Sequence, residues 1–219
     1  MAFGLNEKTL ELNVSTEFLN ICRQYDPKAF MFGTTLKQES RLGYDSTVLG
    51  SLPQFWRTSV FQFKRALSKR ITPLGDEYTF HVNNNGNRDQ HIFLYLMSGG
   101  RHLTALYVLP LFTTLNDVSN QAPQLLGQTV YADAADIPPW IVDNAPHTLL
   151  VYPTQGFAII HSDRRRIKVS PFKELMTNIA EKKIGVTIEE LRGNLKARRI
   201  EGAETRSRRP KFTFHTFPT

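Results

Sequence analysis

Glu39-Ser40-Arg41-Leu42-Gly43-Tyr44-Asp45, a turn-rich insert, then Val60-Phe61-Gln62-Phe63-Lys64-Arg65: the reading of the whole chain turns on this stretch. One carboxylate, Glu39, is followed six residues later by a second, Asp45. A short β-like run then ends in alternating polar side chains, Gln62 and Lys64. Residues two apart on a strand face the same side. Gln62 and Lys64 therefore project together, and Phe63 points into the opposite layer. Asp45, at the start of a neighbouring strand, reaches the same face. Glu39, on a preceding helix, approaches from the side.

The flanking sequence supplies elements for a mixed α/β layer structure. Thr34 or Thr35 can cap a helix over 35–42 that carries Glu39 and stops at Gly43. Strands are expected near 45–49 and 59–64, joined by a connection containing Gly50-Ser51-Leu52-Pro53. Glu77–Val82 alternates as a further strand. Gln90–Met97 is an apolar helix, capped by Asn87 or Asp89 and ended by Gly99-Gly100. Leu103–Phe112 reads as a buried central strand. Strand, apolar helix and buried strand together suggest a crossover unit.

Upstream, Lys8–Val14 alternates and predicts a short strand. Ser15-Thr16-Glu17 then resembles a helix start, and Asp26-Pro27 a stop. Phe30-Met31-Phe32 is apolar and ends at the breaker Gly33. Downstream, prolines at 123, 138, 139 and 146 break up 113–146, with a short helix over Asp117–Leu126. His147–Tyr152 and Phe157–Ser162 flank Pro153-Thr154-Gln155-Gly156 and predict a hairpin. Ser170 as cap and Pro171 at the first helical position open a helix to Lys183. Thr187 begins a Thr-x-x-Glu box and a helix to Arg199. The expected division is one α/β domain over 1–196 and a basic tail over 197–219.

Composition narrows the classes. The chain has 219 residues and a net charge of +7, a surplus that favours polyanions such as nucleic acid. Fifteen Phe predict a well-filled core, or an apolar surface for a partner. The single cysteine, Cys22, excludes an internal disulfide and a Cys/His metal framework. Its apolar helical context marks it as a small buried hydrophobe rather than a nucleophile. No apolar run is long enough to span a bilayer. The N-terminus lacks the pattern of a signal peptide. A cytoplasmic protein with no membrane association is the expectation. Gly99-Gly100 lacks the Lys-Ser/Thr of a phosphate-binding loop, and His81, His102, His147 and His161 show no metal-ligand spacing. His91 beside Gln90 reads as a capping or core residue that could also face the site.

To cut a phosphodiester, a divalent ion must be held against the phosphate. Mg²⁺ prefers hard oxygen ligands, and a nearby Lys can stabilise developing charge. Glu39, Asp45, the Gln62 amide and the Phe63 carbonyl offer such oxygens, and Lys64 offers the cation. This arrangement resembles the PD-(D/E)xK, or restriction-endonuclease-like, nuclease superfamily, in particular its Gln-x-Lys (Mrr-like) branch. The matching residues are Glu39, the Gly43-Tyr44-Asp45 turn and Gln62-Phe63-Lys64. The likeness covers roughly residues 30 to 112, with 66–88 as an insertion before the core helix.

The resemblance implies a mixed central sheet flanked by helices, a restriction-endonuclease-like core elaborated by a C-terminal hairpin and helices. It makes Glu39, Asp45, Gln62 and Phe63 ligands of Mg²⁺ or Mn²⁺, and Lys64 the catalytic lysine. It implies an endonuclease acting on DNA, in restriction or defence, with specificity supplied by a homodimer or a partner subunit. Two departures stand out: Gln62 in place of an acidic residue, and no Pro before Asp45. Arg65, Lys69, Arg164, Arg165, Arg166, Arg198 and Arg199 are candidate phosphate contacts. Two alternatives stay open. One is an inactive nuclease-fold subunit that binds nucleic acid or a partner protein. The other is an interaction protein that uses its many Phe and merely happens to be basic.

Overall fold

The computed structural model describes residues 4–33, 45–49, 57–82, 90–98, 105–137, 147–162, 164–181 and 186–187. Glu39, the helix expected over 35–42, the Gly43-Tyr44 turn, the cap at 87–89, Arg198, Arg199 and the tail lie outside them.

The chain begins with helix α1 (Glu7–Tyr25). The Asn6 side chain caps it by accepting from the Thr9 N–H at 2.7 Å. The strand expected over Lys8–Val14 is therefore the first part of this helix. Leu10, Val14, Phe18 and Cys22, spaced four apart, are all buried, while Leu12 is 58% exposed. That helical stripe outweighs the alternation of Leu10, Leu12 and Val14, because only the helix buries the apolar residues on one side. Thr16, expected near a helix start, lies in mid-helix and donates its hydroxyl to the Leu12 carbonyl at 2.7 Å. Asp26 ends the helix, its N–H bonded to the Cys22 carbonyl. Cys22 is buried as expected, and burial followed by the charge of Asp26 pushes its thiol up to about 12.

Strands β1 (Phe30–Gly33), β2 (Ser46–Leu49), β3 (Arg57–Thr58), β4 (Val60–Phe63), β5 (Ala66–Thr72) and β6 (Gly75–Val82) follow. Next come helix α2 (Gln90–Ser98), strand β7 (Ala105–Pro110), helix α3 (Leu115–Gln121) and strand β8 (Thr129–Asp133). Strands β9 (His147–Tyr152), β10 (Phe157–Ile160) and β11 (Arg165–Pro171), helix α4 (Phe172–Ala180) and strand β12 (Val186–Thr187) complete the described elements. The molecule is α/β. Its described strands form a ten-stranded mixed sheet in the order β1-β2-β4-β7-β8-β11-β10-β9-β6-β5, and a small β12–β3 pair. Among these pairings β4–β7 is parallel, with Gln62 opposite Tyr107 and Phe63 opposite Val108.

The expected crossover unit is present with a different first strand. β6, which precedes α2, pairs with β5 and β9. The parallel partner of β7 is β4, so the hairpin β5–β6 and α2 both lie between the paired strands. Sequence neighbours suggested β6, but ladder hydrogen bonding ignores sequence proximity once a hairpin intervenes.

β11 joins two halves of the sheet. Its residues Arg165–Lys168 pair with β10, and Val169–Pro171 pair with β8. In the first half, period-two alternation sends the side chains of β4, β7 and β8 to two covered faces. Phe61, Phe63, Leu106, Val108 and Tyr131 pack with α1 and with Leu175 of α4. Val60, Tyr107, Leu109 and Ala132 share a second core with Leu94 of α2 and with Phe80, Leu149, Val151 and Ile160 of the other half. Both faces of β4 and β7 are covered and both strands are buried throughout; β7 accordingly reads as a continuous apolar run, while β4 buries one polar side chain, Gln62.

Two helix boundaries differ from expectation. Ser170 and Pro171 end β11, and α4 starts at Phe172 and stops at Ala180, because the strand pairing to β8 claims both residues. Val186 and Thr187 form β12 against Thr58 and Arg57, and the helix expected from Thr187 to Arg199 lies beyond the described residues. α3 starts at Leu115, where Thr114 and Asp117 make a reciprocal capping box. It stops before Pro123, and Leu125–Gln128 is a separate 3₁₀ turn. The hairpin β9–β10 forms as expected, closed by Gly156 at φ 69°, a conformation natural to glycine. Among the described residues, no helix is long and apolar enough to cross a membrane.

Candidate functional site

Asp45 immediately precedes β2, and its N–H donates to the Phe61 carbonyl at 2.9 Å. This ladder bond fixes it beside β4. Its Oδ2 accepts from the Phe63 N–H at 2.6 Å and from Gln62 Nε2 at 2.8 Å. The same Gln62 Nε2 donates to the Phe63 carbonyl at 3.2 Å. Asp45 is 7% exposed and Gln62 is fully buried. A carboxylate in such a place survives because charge-assisted hydrogen bonds replace water.

Gln90, the first residue of α2, connects Gln62 to Lys64. Its Nε2 donates to Gln62 Oε1 at 2.8 Å, and its Oε1 accepts from Lys64 Nζ at 3.0 Å. Gln90 and Lys64 are 3% and 6% exposed. Lys64 Nζ also lies 3.6 Å from a carboxylate oxygen of Glu7, the first residue of α1. The Lys64 N–H donates to the Val108 carbonyl at 3.0 Å and so continues the parallel ladder past the end of β4. A hydrogen-bonded series thus runs Lys64, Gln90, Gln62, Asp45 across the end of the parallel pair, with Glu7 as an ion-pair neighbour of Lys64.

The start of α2 is clamped from behind. His91 Nε2 lies 2.9 Å from the Ile137 carbonyl and Nδ1 3.0 Å from the Tyr107 hydroxyl. The carbonyl can only accept, so Nε2 carries the proton and Nδ1 accepts from Tyr107. Burial pushes the His91 imidazole down to about 4, against a smaller opposing effect of the Ile137 carbonyl. It is a neutral core histidine. Tyr107 is the ladder partner of Gln62, so this clamp sets the height of Gln90 over Gln62.

Three of the four expected catalytic residues, Asp45, Gln62 and Lys64, therefore meet in one network. Glu39 lies outside the described residues. Arg65 spends a guanidinium N–H on the Leu5 carbonyl at 3.0 Å, which ties the entrance of α1 to the end of β4. Lys69 pairs with Asp76 at 2.7 Å on the β5–β6 hairpin. Arg164 in the β10–β11 turn and Arg165 and Arg166 at the start of β11 are exposed, with Arg166 over the Phe157 ring at 3.7 Å from its centroid. Lys69 and these arginines belong to the second half of the sheet. Glu7 and Gln90 were missed as site residues. The signal for Gln90 was a lone polar residue opening an apolar helix, beside His91. Glu7 carries no local signal, because fifty-seven residues separate it from Lys64.

The chain matches no family model, no curated protein and no solved structure.

Whether a hard cation suits this site follows from the position of Gln62 Nε2. Its amide hydrogens, which carry partial positive charge, point at Asp45 Oδ2 and the Phe63 carbonyl at once. Two oxygens thus already converge on an electropositive group, and both are of the type Mg²⁺ takes. Among the described residues no three Asp, Glu, His or Cys side chains cluster for a metal. One carboxylate with a carbonyl suits an ion that keeps several waters and completes its shell with substrate phosphate. The donor chemistry fits on those terms, with Asp45 and Phe63 as the ligands at hand and Gln62 a third only if its oxygen replaces its nitrogen.

Proposed function

We propose that this protein is a metal-dependent nuclease with a restriction-endonuclease-like core, hydrolysing DNA phosphodiester bonds with Mg²⁺ or Mn²⁺. The observation that carries the reading is the meeting of Asp45, Gln62 and Lys64 at the end of one parallel strand pair, as the family's site requires. When bound, the divalent ion supplies charge neutralisation at the scissile phosphate. Asp45 and the Phe63 carbonyl hold it, and the hydrogen bond from the Phe63 N–H keeps the Asp45 carboxylate oriented. Lys64 places a positive charge against the negative charge that builds on the phosphoryl oxygens as water adds and the ester oxygen leaves. Its other neighbours, Glu7 and Gln90, limit where that ammonium can point. The net charge of +7 draws the polyanion in, and a role in restriction or defence is the setting the resemblance suggests.

A second reading is a non-cleaving subunit of the same fold that binds nucleic acid or a partner. The amide of Gln62 favours it, since it withholds the negative charge an acidic residue would add. The test is incubation of plasmid and linear DNA with Mg²⁺ or Mn²⁺, beside Asp45→Ala and Lys64→Ala. A drop of about 10²-fold or more in cleavage in each variant supports the nuclease. Cleavage that survives both substitutions refutes the site. DNA binding with no cleavage selects the second reading.

A further inference from the structure

The hydrogen-bonded series from Lys64 to Asp45 has a direction imposed at both ends. An ammonium can only donate; a carboxylate and a backbone carbonyl can only accept. Between them stand two amides, each with one accepting and one donating end. Lys64 Nζ donates to Gln90 Oε1, which leaves the Gln90 NH₂ to donate to Gln62 Oε1, which leaves the Gln62 NH₂ to face Asp45 and the Phe63 carbonyl. The nitrogen and oxygen positions of both amides follow from this chemistry alone.

The Gln62 oxygen therefore faces away from the point where the other two oxygens converge, and an NH₂ group occupies that point. A divalent cation cannot share it with an amide donor. Turning Gln62 alone sets its NH₂ against the NH₂ of Gln90. Turning both amides sets the Gln90 NH₂ against the Lys64 ammonium. Gln62, Gln90 and Lys64 are all buried, so no solvent relieves either mismatch. The three side chains must move as one.

We propose that Gln90 is a positioning residue that locks Gln62 in a cation-excluding orientation, so that a divalent cation binds only as the Gln62 amide reverses and Lys64 is released from Gln90. The inference rests on the metal reading above and deepens it. Gln62 becomes a switchable ligand, and Lys64 leaves its amide partner at the moment the metal arrives. A site with an acidic residue in place of Gln62 has no such coupling, because a carboxylate has no donating end.

The experiment measures Mn²⁺ binding to the full chain, without DNA, by calorimetry and by electron paramagnetic resonance. The variants are Gln90→Met, Gln62→Glu and the double variant. Gln90→Met removes both ends of the lock without changing charge. Mn²⁺ is expected to bind it about fivefold or more tighter than wild type. Gln62→Glu is expected to bind tightly, and adding Gln90→Met to it should bring no further gain. A purely supporting role for Gln90 predicts unchanged or weaker binding in both backgrounds. Tight binding by Gln62→Glu with no gain in Gln90→Met overturns the lock and leaves the metal site standing. No Mn²⁺ binding by Gln62→Glu overturns the metal reading and the lock with it. The unsubstituted protein offers an independent check by nuclear magnetic resonance during Mg²⁺ titration. The Gln62 and Gln90 side-chain amides and the Lys64 ammonium should shift with one midpoint. A shift of Gln62 alone refutes the concerted movement.

Discussion

Replacing Asp45 by Ala removes the acceptor of two buried hydrogen bonds, from the Phe63 N–H at 2.6 Å and Gln62 Nε2 at 2.8 Å. Gln62 keeps its longer bond to the Phe63 carbonyl at 3.2 Å, so it gives up one partner rather than both. A buried donor left without an acceptor costs about 1–3 kcal/mol, so two cost about 2–6 kcal/mol. Relief from burying a carboxylate offsets part of this, leaving about 2–4 kcal/mol of destabilisation. For a chain of this size that lowers the midpoint of thermal unfolding by about 5–15 °C. Asp45→Asn is the informative partner. Its amide oxygen can turn to the same two donors, so its cost should stay under about 1 kcal/mol. Urea titrations of the three proteins, without divalent ions, make the comparison. Adding Mg²⁺ at a hundredfold over its dissociation constant should stabilise wild type by about 2.7 kcal/mol and leave the Asn variant with much less. If Ala and Asn cost the same, or if Ala lies within about 0.5 kcal/mol of wild type, then Asp45 does not hold Phe63 and Gln62 in place and the site has no anchor.

Three further outcomes follow. His91 is held neutral with its imidazole pushed down to about 4 from an ordinary 6.5, so the folded state binds a proton less readily than the unfolded one; stability present above pH 6.5 should fall by about 3 kcal/mol as pH drops towards 4, a slope that His91→Gln should flatten in urea titrations across that range. Glu77 is buried, accepts from Arg70 and from the Tyr152 hydroxyl, and is held below the usual carboxylate range because those bonds outweigh its burial; Glu77→Ala should cost about 2–3 kcal/mol by stranding Tyr152, loosening the hairpin from β9 without changing Mn²⁺ affinity at Asp45. If the exposed arginines 164–166 bind phosphate, neutralising all three should reduce the slope of log binding constant against log salt by about 0.9 for each phosphate they had neutralised, and an unchanged slope would remove the β10–β11 turn from the nucleic-acid surface.

Local patterns served well where one element buries one face within a few residues. The runs at 45–49, 59–64, 90–98 and 103–112 were legible because each is a short apolar segment bounded by turn residues, and the hairpin at 147–162 carries its own turn chemistry. The pairing of Gln62 with Lys64 on one face followed from the two-residue period of a strand. The failures have a common cause. Lys8–Val14 fits both a strand and a helix over seven residues, and the i, i+4 series decides only when Phe18 and Cys22 are counted with it. Ser170 and Pro171 suit a helix start, but the long-range ladder to β8 holds them in a strand.

From the sequence alone one obtains an α/β chain with a net positive charge and a polar face on β4 that carries Gln62 and Lys64. These depend on side-chain period and composition, which are local. What Gln62 does there is set by tertiary structure. The parallel pairing of β4 with β7 brings α2 over that face, and the clamp of His91 on Tyr107 and Ile137 sets Gln90 between Gln62 and Lys64. The direction of the amide series, and so which atom of Gln62 faces Asp45, comes from groups up to forty-five residues apart that must satisfy one another in the absence of water. No local pattern encodes a hydrogen bond whose two ends are joined only by packing.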